Sequence, residues 1–328
     1  MRCHRKSRLL APAGIAAFLT VLLPPLAHGQ SGKQAIIVST SSVNGETISC
    51  GCKKKDLGGI ARRATIIKSQ RAKTDAFLLV DAGDFGSHAA FEPWMRTEFQ
   101  WEMMGKVGYD AVTPGPNEMT EGLDALQDLY GRIPHLQVVS ANITDKSGTR
   151  IWPEYALIEH GGVVFGVTGV TDKSYYSFNL TRGKQRKDDF DFLSLRESLI
   201  SVVPTLREKA DIVVVLLHTG SADARRMLDD IEGVDVVVVG HSPSYKFIPE
   251  RIGQTLLIQA GNRGQYVNVL ELTLNDQNNI VDYNGEARPL GDTIAIDEDF
   301  DAVVTKFNKK YDGLMPQDVK TEAKAEGQ

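Results

Sequence analysis

Four apolar stretches of the chain end in side chains able to ligate a metal or move a proton. FLLVDAGD ends in Asp81 and Asp84, AVTPGPNE supplies Asn117 and Glu118, IVVVLLHTG ends in His218, and VVVVGHS ends in His241. In α/β sheets, ligands gather beyond the carboxyl ends of strands, so these tips are candidates for one shared site. A lone strand-end histidine is most often a hydrogen-bonding residue. Two of them with strand-end acids form a donor set, and two imidazoles with a carboxylate suit one divalent ion such as Zn, Mn or Fe better than Ca or Mg. Such an ion would polarise a phosphoryl oxygen and acidify a water, which is the chemistry of ester hydrolysis.

The elements that must position these residues are legible as apolar runs at Ala35 to Val38, Phe77 to Val80, Val138 to Val139, Val163 to Val170, Ile212 to Leu217, Val234 to Val239 and Thr255 to Ile258. Most are too short for helices and are apolar on both parities, which predicts strands covered on both faces. Helix-like segments lie between them at Ile60 to Lys68, Glu92 to Met104, Gly122 to Tyr130, Leu193 to Lys209 and Ala222 to Ile231. The alternation predicts an α/β fold. After Tyr266 the pattern changes to an antiparallel hairpin across an Asn-rich turn, and Phe300 to Leu314 reads as a closing amphipathic helix. Pro204 falls inside the fourth helical segment, where a kink or a restart is expected.

A second chemically distinctive stretch is Cys50-Gly51-Cys52-Lys53-Lys54-Lys55, followed by Gly58-Gly59 and a helix with Arg62, Arg63 and Lys68. Cysteines two apart can close a disulfide if the chain bends at Gly51, and the pair is read either as a staple at a loop tip or as a site of redox exchange or metal capture. Gly59 before the helix leaves backbone N–H groups free to hold an anion with Arg62 and Arg63, while a solvated helix face accounts for the same residues equally well.

Residues 1 to 29 have the parts of a secretory leader: basic Arg2, Arg5, Lys6 and Arg8, an apolar run from Leu9 to Leu23, and small residues at Ala27-His28-Gly29. The run is short for a membrane span and carries Pro12, so export without a stable membrane anchor is expected. The formal charge of −5 becomes more negative once the leader is removed, which argues against a nucleic-acid partner. One large domain over residues 30–316 is expected, with a polar tail over 317–328.

The order of motifs resembles the metallophosphoesterase (calcineurin-like) superfamily, most closely the catalytic domain of the 5′-nucleotidases. That family runs D-x-H, G-D, G-N-H-[ED], a strand-end H and G-H-x-H, with two metals bridged by the aspartate of G-D. Here Gly83-Asp84, His218 and Gly240-His241 match the second, fourth and fifth motifs, and VSANI, FGVTGVT and IQAGNRGQYV are also similar. The resemblance spans roughly Gln34 to Tyr311 and implies a four-layer α/β/β/α sandwich. It also implies where the chain departs from the family: Ser42 and Asn44 stand at the D-x-H ligand positions, Pro243 at the second histidine of G-H-x-H, Pro116 at the ligating asparagine and Asn117 at the catalytic histidine. The missing groups serve one metal, whereas Asp84, His218 and His241 serve the other. A single-metal site is therefore expected, with Asp84 and Asn117 assigned to the catalytic step and Asn117 able to shift by one residue to ligate. Some bacterial 5′-nucleotidase-like proteins share the CGC and GG-x-x-RR arrangement, which places the chain in a divergent exported subgroup.

Three functions follow as expectations. The first is a periplasmic or extracellular hydrolase acting weakly or selectively on a small phosphorylated or related ester. The second is a catalytically silent member of the fold that holds an anion in the same cleft. The third is a thiol or electron-transfer accessory protein working through Cys50 and Cys52. Full-length 5′-nucleotidases add a domain that recognises the nucleoside base; the chain stops at the helix that would lead into it, so nucleoside specificity is not expected.

Overall fold

A computed structural model describes residues 32–87, 94–182, 187–228 and 231–314. The leader expected over 1–29 and the tail expected over 317–328 lie outside these residues, as does the expected start of the second helix at residue 92. The described residues from Gly32 onward form one compact unit. Its first half runs β1 (Lys33–Thr40), α1 (Ile60–Arg71), β2 (Ala76–Asp81), α2 (Met95–Val107), β3 (Ala111–Val112), α3 (Leu123–Gly131), β4 (Gln137–Val138), β5 (Ile143–Asp145) and β6 (Tyr155–His160). The chain continues through β7 (Val163–Thr171), α4 (Lys173–Thr181), β8 (Phe190–Phe192), α5 (Leu195–Lys209), β9 (Ile212–His218), α6 (Ser221–Leu228) and β10 (Val236–Val239). It closes with β11 (Glu250–Ile252), β12 (Thr255–Ile258), β13 (Tyr266–Leu274), β14 (Ile280–Pro289) and α7 (Glu298–Leu314).

Two six-stranded sheets result, in the orders β14-β13-β1-β2-β3-β4 and β11-β12-β10-β9-β7-β6. In the first, β1 to β4 are parallel and β13 joins β1 antiparallel. In the second, β12, β10, β9 and β7 are parallel between antiparallel edges. The period of two along each strand sorts its side chains into two cores. Ile37, Leu78 and Val80 of the first sheet meet Val214, Leu216, Val236 and Val238 of the second between the sheets. The opposite parity of the first sheet, Ile36, Val38, Phe77 and Leu79, packs under α1, α2, α3 and α7. Val213, Val215, Val237 and Val239 pack under α5 and α6. The layers are therefore α/β/β/α, and a run of four valines is what a strand buried on both faces requires.

The helix α5 runs unbroken through Pro204. Pro204 and Ile200 are both exposed, so the Ile200 carbonyl that loses its helical donor belongs to the solvent-facing side of the helix, where the loss costs least. The helix α4 and the short strands β3, β5, β6, β8 and β11 carry too little period-specific pattern to be legible in the sequence. Among the described residues no helix is long and apolar enough to cross a membrane.

Candidate functional site

The carboxyl ends of β2, β9 and β10 meet at the seam between the sheets, and each delivers one donor. Asp84 Oδ2 lies 3.0 Å from His241 Nδ1 and 3.3 Å from His218 Nε2. The two histidine nitrogens are 3.2 Å apart. The three atoms thus form a nearly equilateral triangle. Donors bound at ~2.0–2.2 Å to one tetrahedral ion stand ~3.3–3.6 Å apart, so the triangle is slightly tighter than such a cage and would open by a few tenths of an ångström to hold the ion.

The surroundings prepare these atoms to ligate. His218 Nδ1 is 2.7 Å from the carbonyl of Ala82. A carbonyl only accepts, so Nδ1 carries a proton, and Nε2 is the nitrogen that faces Asp84 and His241 and can ligate once it gives up its own proton. Burial pushes the Asp84 carboxyl up, but the two imidazoles outweigh it and hold Asp84 well below the usual carboxylate range. Burial pulls the His218 imidazole down, and the Asp84 charge overcomes that and leaves it raised.

Backbone geometry shows how much the fold invests here. Among the described residues six non-glycine residues have positive φ, and four of them, Ser42, Asn44, Asp84 and His241, converge on this site. Each costs on the order of 1 kcal/mol, and such strain concentrates where function demands a particular direction of a side chain. Close approach also fixes glycine at two positions. A Cβ on Gly115 would lie 2.4 Å from the Asp84 nitrogen and 2.5 Å from its Oδ1. A Cβ on Gly240 would lie 2.7 Å from His218 Nδ1.

The loops are tied together by Glu118, whose two oxygens accept from the backbone N–H groups of Asp84, Gly86 and Gly115. Burial, with the nearby Asp84 charge adding to it, pushes this carboxyl well above its ordinary value. Asn117 enters the site through its backbone, which donates to Asp84 Oδ1 at 2.9 Å. Its side chain donates to Asn44 Oδ1 at 3.0 Å and to the carbonyl of Gly86. Asn44 and Asn117 therefore hold each other beside Asp84. Ser42 Oγ accepts from the His241 backbone N–H at 3.0 Å. Pro243 is exposed just beyond His241, and Pro116 precedes Asn117 in the turn closed by Met119.

Arg62, Arg63 and Gly59 are not brought to the triangle. Arg62 pairs with Asp56 and donates to the carbonyls of Asp56 and Leu290, and the buried Arg63 donates to Gln100. The amphipathic logic of α1 explains this, because both guanidiniums complete the packing of the helix rather than face the cleft.

One neighbour of the site was not anticipated. The ring of Tyr175 stacks on His241 with centroids 3.5 Å apart and planes 27° apart. Tyr175 lies in the first turn of α4, which is capped by Asp172, and Asp172 also accepts from Thr219 beside His218. Its place just after the FGVTGVT strand was the available signal. Of the three donors His241 is the most open to solvent, with its side chain 35% exposed against 5% for Asp84 and 0% for His218, so the triangle is reached from the His241 side.

Known proteins share this architecture. The family profile described as calcineurin-like phosphoesterase matches residues 50–245. A snake venom 5′-nucleotidase of Gloydius brevicauda is 27% identical over 287 residues, covering 80% of this chain and 48% of the relative. The chain spans about half the length of the curated relatives it matches. Among solved structures, a 5′-nucleotidase precursor from Thermus thermophilus superposes with a TM-score of 0.73 at 24% identity, covering 87% of this chain and 60% of the other. The sulfate thiohydrolase SoxB of the same organism superposes at 0.74 and 19% identity, covering 90% of this chain and 63% of the other. Both likenesses show the fold.

Proposed function

The chain belongs to the calcineurin-like phosphoesterase family, and from that premise we propose that it is an exported hydrolase that cleaves a small phosphate or related ester with one divalent ion. The observation that carries this reading is the triangle of Asp84, His218 and His241, whose donor atoms all lie within 4.8 Å of one another. Zn, Mn or Fe fits the two imidazoles and one carboxylate. When bound, the ion supplies Lewis acidity toward a phosphoryl oxygen and lowers the pKa of a water.

The remaining steps belong to the protein. Asp84 presents Oδ2 to the cluster because the Asn117 N–H holds Oδ1, and His241 keeps its direction through Ser42 and Tyr175. The paired amides of Asn44 and Asn117 lie beside Asp84; both Asn117 Nδ2 hydrogens go to Asn44 Oδ1 and the Gly86 carbonyl, so it is the Asn44 N–H groups that are left to meet phosphate oxygens. Neither amide can protonate a leaving group near neutral pH. General acid catalysis contributes typically 10²–10⁴-fold, so the leaving oxygen must depart unassisted, and aryl esters should be turned over far faster than alkyl esters.

The same amides favour a second reading, a silent member of the fold that holds an anion without cleaving it. Metal analysis and turnover of an aryl phosphate separate the two. The hydrolase reading expects about one ion per chain, lost in His241→Ala, with turnover at least ~100-fold above Asp84→Ala. Turnover equal to that of Asp84→Ala in the metal-loaded protein establishes the silent reading, and no bound ion under any loading condition removes the single-metal enzyme.

A further inference from the structure

Cys50 and Cys52 form a disulfide with a sequence separation of 2, at the tip of the loop that joins β1 to α1. The neck of this loop is closed independently of the sulfurs. Ser49 bridges Gly58, the Cys50 N–H donates to the Leu57 carbonyl, the Gly51 N–H donates to Asp56, and Asp56 pairs with Arg62. The tip itself is open to solvent: Gly51, Cys52, Lys53, Lys54 and Lys55 are all exposed, and Cys50 is half-buried. None of the three lysines is engaged in an ion pair among the described residues.

We propose that this pair is a thiol–disulfide exchange site, opened by dithiols that carry negative charge. Three observations lead there. A bond between residues two apart closes a very small ring and restrains the unfolded chain far less than a long loop would, so its role as a staple is slight. Each sulfur has a carbonyl acceptor beside it that a released thiol could meet: the Lys55 carbonyl lies 3.5 Å from Cys50 Sγ and the Cys50 carbonyl 3.8 Å from Cys52 Sγ. The run of lysines stabilises the thiolates released on opening and draws in an anionic donor.

Exposure sets the order of events. A donor thiolate attacks the exposed Cys52 Sγ, the Cys50–Cys52 bond breaks, and Cys50 leaves as a thiolate beside the lysines. The second thiolate of the donor then attacks its own sulfur in the mixed disulfide. The donor closes to a cyclic disulfide, Cys52 is released, and the two cysteine thiolates take up the two protons that the donor thiols gave up. Two electrons have passed from donor to protein, and the neck of the loop is unchanged. The site is separate from the donor triangle, so it stands or falls independently of hydrolysis.

The test uses the oxidised full-length protein under native conditions, with dihydrolipoate and dihydrolipoamide as donors. They carry the same dithiol and differ in the carboxylate charge. Alkylation of the Cys50–Cys52 peptide, followed by mass spectrometry, reads the rate of opening. The expected result is opening much faster than global unfolding, with dihydrolipoate favoured by about threefold or more at low salt and the preference lost near ~0.5 M salt. A K53Q/K54Q/K55Q variant, which alters only exposed side chains, should erase the preference. Opening no faster than global unfolding overturns the proposal, and so does a preference that survives in the triple variant.

Discussion

Two carboxyls three residues apart, Asp81 and Asp84, are driven in opposite directions by their surroundings. Asp84 faces two imidazoles and is held low, whereas burial pushes Asp81 up to about 6 despite hydrogen bonds from Thr40 and the Gly83 N–H. A carboxyl with a raised folded-state pKa holds its proton between about pH 4 and 6 while the unfolded chain has lost it. Its contribution to stability is therefore full below the unfolded value, falls as pH rises toward 6, and amounts to a penalty of roughly 3 kcal/mol at neutral pH. Asp81→Asn removes that penalty and keeps an acceptor for the Gly83 N–H, while the Thr40 hydroxyl remains within 2.8 Å of Tyr109 to donate there. Urea unfolding should show the variant gaining about 1–3 kcal/mol over the natural protein between pH 4 and 7, with little difference below pH 4. A difference that does not change with pH would place the effect in packing instead.

The elements explain which residues were legible. A side chain at the end of a doubly buried strand, or up to three residues past it, has its place fixed by the strand, and the convergence of Asp84, His218 and His241 could be read from FLLVDAGD, VLLH and VVVVGH. The α/β/β/α layering was legible for the same reason, since strand parity alone sorts Ile36 from Ile37 and Val236 from Val237. The direction of the Asn117 amide, the commitment of Arg62 and Arg63 to Asp56 and Gln100, and the stacking of Tyr175 were not legible. They depend on loops and on a helix whose positions are set by distant contacts. Gly115 shows how tight those loop contacts are. Gly115→Ala would drive a methyl into Asp84, so the β2 and β3 loops must part. The expected cost is about 2–4 kcal/mol in urea unfolding, together with loss of the bound ion from metal analysis. A stable variant with full metal content would show that the loops give way at no cost to the site.

At the scale of the whole molecule, the donor triangle is a clasp between two sheets. Asp84 follows β2 of the first sheet, whereas His218 ends β9 and His241 follows β10 of the second, and the core between them is built mainly of apolar contact among Ile37, Leu78, Val214, Val238 and their neighbours, with hydrogen bonds such as His218 to the Ala82 carbonyl at the seam. An apolar interface of this kind resists separation but does not fix the depth at which three donors meet. An ion bound to all three does both, and because the unfolded chain cannot assemble the triangle, binding adds directly to folding stability. At a free metal concentration ~100-fold above Kd the gain is about 2.7 kcal/mol. For a chain of this size that corresponds to a rise in Tm of ~4–5 °C. Calorimetry of the metal-free protein titrated with Zn or Mn should therefore show a concentration-dependent rise that His241→Ala abolishes. Asp84→Ala should abolish it equally, although it lies in the other sheet, because a cage spanning both sheets fails when either side is lost. If the rise survives in both variants, the stabilising ion binds outside this seam and the clasp is refuted.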